Sequence, residues 1–204
     1  MNALKFRFMT FVSGALLIFS ATTAGATVWQ TTSNWTDETE VVYQDWVRKI
    51  PTNLFSRPDN PFLGQENHPF KDIQENPYGG LQVDCADAVC LLRLIFAHSQ
   101  GLPYEMREGD RVFSSTSSSY DGIKDPVGRL RAFMKSIIPA CSTWSLERNT
   151  FLVAPSKIGP GDVYRFNYVG RRIEKAAEGR HAHIVRNVLP NGNIHFMWSS
   201  LPGF

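Results

Sequence analysis

Residues 84–99, DCADAVCLLRLIFAHS, decide how the rest of the chain is read. From Asp84 to about Ser99 the pattern is helical and apolar almost all round, interrupted only by Asp87, Arg93 and His98. A helix that is apolar on every side lies at the centre of its domain. Gly101 and Pro103 end it, and Gly79-Gly80 gives the chain a tight approach to its start. Cys85 falls in the first turn. The unsatisfied N–H groups and the helix dipole there favour a thiolate over a thiol, and the same groups can stabilise an oxyanion.

Upstream of this helix, residues 36–50 (TDETEVVYQDWVRKI) read as a second helix. Asp37 and Glu40 fit a cap and its return partner, Arg48 and Lys49 sit at the far end, and Pro51 stops the run. Val42, Trp46 and Ile50 share one face. Residues 51–80 show no period and carry prolines at 51, 58, 61, 69 and 77, with Phe55, Phe62, Phe70 and Tyr78 among them. Such a loop is expected to wrap over something.

Downstream, Asp125-Pro126 opens a helix as cap and first residue, running to about Ile138 before Pro139. The last third changes character. Residues 150–154, 163–168, 183–189 and 193–199 are short and rich in β-branched and aromatic residues, and Asn191-Gly192 is a hairpin signal. Helices first and an antiparallel sheet afterwards predict an α+β fold: a buried helix carrying Cys85 packed on a C-terminal antiparallel β-sheet.

With 204 residues, 43% hydrophobic and 20% charged, the chain has the material for one domain. Residues 1–26 hold Lys5 and Arg7, an apolar run of about a dozen residues, and then Ala24-Gly25-Ala26. That order is a signal peptide with cleavage after Ala26, and the apolar run falls short of the ~20 residues a membrane span needs. The expected mature protein, 27–204, is exported to a periplasm or the medium, monomeric and without a membrane anchor. From Thr27 onward positive and negative side chains balance, so nucleic acid is not an expected partner. Three cysteines cannot all pair within one chain. Cys85 is the candidate free thiol, whereas Cys90 and Cys141 form either a disulfide or two buried thiols.

A cysteine nucleophile needs a base and a group that orients the base. His68 lies in the proline-rich loop and His98 at the far end of the central helix, which leaves His181, His183 and His195 in the sheet. Alternation puts His181 and His183 on one face. A two-residue turn at Asn191-Gly192 would pair 188 with 195 and send His195 to the other face. A three-residue bulged loop would pair 189 with 195 and bring it to the face of His183. A Cys85–His183–His195 triad therefore requires a bulged hairpin. His181, His183 and Cys85 as a metal set lack a convincing fourth ligand, no phosphate loop or dinucleotide fingerprint occurs, and neither a metal nor a cofactor is expected.

These residues resemble the NlpC-type papain-like cysteine peptidases of bacterial cell walls. The family's Tyr, Gly-Gly and Asp-Cys opening a helix is similar to Tyr78-Gly79-Gly80 and Asp84-Cys85. Its Pro-Gly-Asp before a strand is similar to Pro160-Gly161-Asp162, and its two strand histidines to His183 and His195. The resemblance covers roughly residues 76–103 and 159–199. It implies a papain-like fold in which Cys85 attacks an amide carbonyl of a peptidoglycan peptide to form a thioester, with His183 as base and His195 orienting it. It also implies that Tyr78 lines the site and that Asp84 helps bind the substrate's amine. His181 is the alternative base. Ala86-Asp87 stands where the family has Ser-Gly, so Asp87 is a further candidate for substrate recognition, and residues 105–158 read as a helical insertion. Cys85, Gly101-Leu102-Pro103 and His181-Ala182 also resemble transglutaminase-like proteins, but no acid follows Glu178 to complete that family's triad. A catalytically silent module that binds cell-wall peptides is the other reading.

Overall fold

The computed structural model describes residues 4–8, 27–167 and 180–199. Its centre is helix α2 (Cys85–Ser99), in which every residue from Cys85 to His98 is buried. Asp84 caps it, accepting hydrogen bonds from the amides of Ala86 and Asp87, while the Asp87 carboxylate accepts from the Asp84 amide. At the other end Gly101 takes a left-handed φ of 61°, and Leu102 N–H returns to Ala97 O.

Helix α1 (Asp37–Lys49) packs its Tyr43 and Val47 side inward, with Tyr43 and Trp46 both against Phe96 of α2. Of the expected face, Trp46 and Ile50 pack inward but Val42 is 49% exposed, and Tyr43 and Val47 complete the buried stripe. The cap also differs. Thr36 and Thr39 make the reciprocal pair, and Glu40 instead reaches across to Arg93.

The expected helical insertion at 105–158 is a mixed segment. It opens with a two-stranded ribbon, β2 (Glu105–Glu108) and β3 (Arg111–Ser114), turning at Gly109. Helices α3 (Pro126–Ile137) and α4 (Thr143–Asn149) follow, the first capped by Asp125 and the second by Ser142. A disulfide joins Cys90 of α2 to Cys141 in the turn between α3 and α4, and Cys85 is the free cysteine.

The main sheet contains β1 (Leu4–Phe8), β4 (Thr150–Leu152), β5 (Val163–Asn167), β6 (Arg180–Val188) and β7 (Ile194–Met197). They run in the order β4-β1-β5-β6-β7, with every neighbouring pair antiparallel. The fold is thus α+β, with the cysteine-bearing helix packed on the sheet at β6. Strand β1 falls inside the stretch read as an export leader. Removing that leader would take away the strand that joins β4 to β5. Residues 9–26, which complete the leader reading, lie outside the described residues. No described helix is long and apolar enough to cross a membrane.

Two devices fix β6. Gly161, at a left-handed φ of 86°, closes the turn before β5, and any side chain there would run into the Tyr43 ring. Gly161 and Asp162 then exchange backbone hydrogen bonds with Val185, and the Asp162 carboxylate accepts from Gly159 N–H at 2.8 Å. Beyond Val185 the pairing with β7 skips a residue. Arg186 fills this bulge and donates to the carbonyls of Arg48 and Ile50 at the end of α1, at 3.2 and 3.1 Å. An extra strand residue is used here to cap a helix C-terminus.

Candidate functional site

Cys85 is the first residue of α2, and its sulfur lies beside the backbone amide of Ala182 on β6. The helix start does not give a lowered thiol pKa. Burial pushes the Cys85 thiol up, and the Asp84 charge pushes the same way, against the backbone amides of Ala182, Ala86 and Cys85 itself. Desolvation of the charged form outweighs the favourable dipoles.

The capping box that starts α2 also occupies the two acids expected to meet substrate. One oxygen of the half-buried Asp84 carboxylate, Oδ1, accepts from the amides of Ala86 and Asp87 at 2.8 and 2.9 Å. Asp87 is buried, and its carboxyl is raised to about 7, first by desolvation and then by the charge and side-chain hydrogen bond of Asp84, against the Asp84 amide. Both residues build the helix terminus.

The alternation along β6 decides what else meets the thiol. Ala182 and Ile184 are buried in the core on the side of α2, so His181 and His183 project from the opposite face. There His183 is stacked on Trp198 at 5.0 Å and lies edge-on to Phe166 at 4.9 Å, with Phe196 at 5.6 Å. Burial lowers its pKa, and the neighbouring His181 lowers it further. No histidine contributes to the titration of Cys85. The structure therefore brings His181 and His183 together with each other, but not with Cys85, and a metal set of these three residues is not assembled either.

His195 joins neither group. The last pair of the hairpin is Val188 with Ile194, the loop closes through Leu189, Gly192 and Asn193, and His195 lies opposite Asn187. The bulge the triad required is present, but within β6 at Arg186 rather than in the turn. Phe196 touches His183, so alternation turns the exposed His195 to the other side. Tyr78 is not among the residues that line the cleft at Cys85. It is fully buried in an aromatic cluster with Phe62 and Phe70, its hydroxyl 3.2 Å from Nε2 of His68. His98 sits at the far end of α2 between Trp29 and Phe70, and burial holds its pKa down to about 3.

What Cys85 does face is a cleft of ≈ 360 Å³. Its floor is the α2 face of Cys85, Ala88 and Leu92. One wall is the sheet edge at Ile184, Met197 and Trp198, and the other is the chain at Pro51–Ser56 and Gly80–Val83. Ser199 Oγ donates to Val83 O at 3.0 Å and ties the two walls at one end. Sequence reasoning did not single out Asn53, Gln82 or Ser199. They lie outside any periodic element, and only the approach of the loop to the sheet edge brings them together.

The chain matches no protein-family model, no curated protein and no solved structure.

Proposed function

We propose that this chain is an exported binding module of papain-like plan, which holds a cell-wall peptide in the Cys85 cleft without forming a thioester. One observation carries the reading: the residue of β6 that faces the thiol is Ala182, and the imidazoles on either side of it point away. A thiol raised by burial and without a base is a poor nucleophile. The Cys90–Cys141 disulfide supports an oxidising compartment, in line with the leader-like start of the sequence. Peptidoglycan peptide as the ligand class follows from the NlpC resemblance of residues 76–103 and 159–199.

The second reading is a cysteine hydrolase acting through Cys85 with His183 or His181 as base. What favours it is the place of Cys85 at the first position of a capped helix, with the amides of Ala182 and Ala86 acting on its sulfur. The pH dependence of Cys85 alkylation by iodoacetamide separates the two, measured in the wild type, His183→Ala and His181→Ala. The binding module gives an apparent thiol pKa above the ordinary ~8.5, unchanged in both variants. A pKa well below that value, lost in one histidine variant, would establish the hydrolase.

A further inference from the structure

Alternation leaves His181 and His183 side by side on the face of the sheet that turns away from α2. Strand pairing sets His181 opposite Phe166 and His183 opposite Tyr164. The aromatic side chains of this face fix both rings. His181 is stacked on Phe166 at 5.9 Å, while His183 lies between Trp198, stacked at 5.0 Å, and the edge-on Phe166 at 4.9 Å. Both imidazoles are half-buried. Burial opposes a charge on His183, and a proton on His181 opposes it further, so His183 is kept in the neutral form that offers a lone pair to a metal.

The spacing of the rings fits a shared ion. An ion about 2.1 Å from a nitrogen of each ring, each nitrogen about 1.1 Å from its ring centre, sets the two centres about 5–6.5 Å apart over the usual range of ligand angles. Here they are 6.3 Å apart, with the planes inclined by 52°. This is the wide end of the range, and moving one ring centre by about 1 Å closes the angle to the tetrahedral one. We propose that His181 and His183 chelate one divalent transition-metal ion of the Zn(II) or Cu(II) class, with water in the remaining positions. Imidazole suits these ions, whereas Mg(II) and Ca(II) take oxygen ligands. No group of three His, Cys, Asp or Glu side chains converges among the described residues, so the ion keeps positions open to a further ligand, unlike a closed structural zinc site. The expectation of no metal rested on joining the pair to Cys85, which lies on the other side of β6. The site is independent of whether the Cys85 cleft binds or cleaves.

Calorimetric titration of Zn(II) into the full chain tests the proposal, with His181→Ala, His183→Ala and, as control, His195→Ala, an exposed imidazole on the other side of the sheet. Wild type and His195→Ala are expected to bind one ion per chain with equal affinity. Each of the other two variants is expected to bind at least about tenfold more weakly, since one imidazole alone does not chelate. Cu(II) gives a second readout through Trp198, which is stacked on His183. It is expected to quench a fluorescence component that is absent from Trp198→Phe and left unquenched in His181→Ala. Should His183→Ala not fold, the imidazole NMR signals of the wild type decide: Zn(II) shifts those of His181 and His183 and leaves that of His195 in place. Equal Zn(II) affinity in wild type and His181→Ala, or equal shifts at all three histidines, would overturn the proposal.

Discussion

Cys85 and Ala182 share the core where α2 packs on β6, and the backbone amide of Ala182 works against the rise that burial imposes on the Cys85 thiol. The charge nearest the thiol is Asp84, which raises its pKa. Asp84→Asn removes that charge and keeps the cap, because Asn caps a helix as well as Asp does. The variant is expected to fold normally and to be alkylated at Cys85 about two to three times faster near pH 7.5, as befits a lowered thiol pKa. An unchanged rate would show that burial alone sets the thiol.

Asp87 makes stability depend on pH in the direction opposite to an ordinary salt-bridged acid. Its carboxyl titrates near about 7 in the folded chain and near ~3.9 when unfolded. Between those values the folded chain keeps a proton that the unfolded chain releases. The contribution is complete below about pH 4, falls as pH rises toward about 7, and is constant above. Urea unfolding at pH 5 and pH 8 is expected to show a loss on the order of 2 kcal/mol in the wild type, most of it absent in Asp87→Asn. Equal pH dependence in the two proteins would place the titrating group elsewhere.

The disulfide spans 51 residues, a loop whose closure is worth about 4 kcal/mol by chain entropy. Cys90 and Cys141 are both buried, so reductant reaches them only after opening. Cys90→Ser with Cys141→Ser is expected to lower the thermal midpoint strongly, whereas dithiothreitol added to the folded wild type acts slowly. Fast reduction in native buffer would mean that the bond sits in a segment that opens readily.

Arg93 is the arginine of the central helix, its side chain only 5% exposed, bound by Glu40 and covered by the rings of Trp35 and Tyr43 at 3.5 and 4.4 Å. Removing Glu40 takes the paired carboxylate from a buried cation. Glu40→Ala is expected to cost about 2–3 kcal/mol in urea unfolding, while Asp45→Ala, which breaks the exposed pair with Lys49, costs under about 0.5 kcal/mol. Comparable small losses would mean that the groups around Arg93 other than Glu40 hold the guanidinium in place.

Long periodic runs and strong terminators were legible in the sequence. α2 was visible in its all-round apolar pattern, α3 in Asp125-Pro126, and the later strands in their β-branched runs. The ribbon β2–β3 was hidden because its strands are four residues long and charged, with only Met106 and Phe113 buried. α4, at seven residues, is too short to show a period. The place of Cys85 in the first turn of α2 is legible in the sequence. The failure lay in which face of β6 it meets, since a two-residue period carries no label for which side is inward. Here the face is fixed by Gly161, Asp162 and the Arg186 bulge, contacts remote in sequence. Residue types do not reveal whether a polar group is already engaged within the fold, as Asp84 and Asp87 are by the helix start and Tyr78 by His68.

The two walls of the cleft are held by different kinds of bond. The sheet side belongs to a ladder and the core. The Pro51–Ser56 side has Leu54 in the core but no ladder: Asn76 donates to Leu54 O and Arg57 O, Gly80 N–H donates to Phe55 O, and Asn60 donates to Phe70 O and Ile73 O further along the loop. Segments anchored in this way exchange their amide hydrogens through local openings, well below the free energy of global unfolding. The 51–80 segment is therefore expected to breathe as a unit while α2 stays closed, so that the rate at which a ligand enters or leaves is set by the loop and its two asparagines, and not by the stability of the domain.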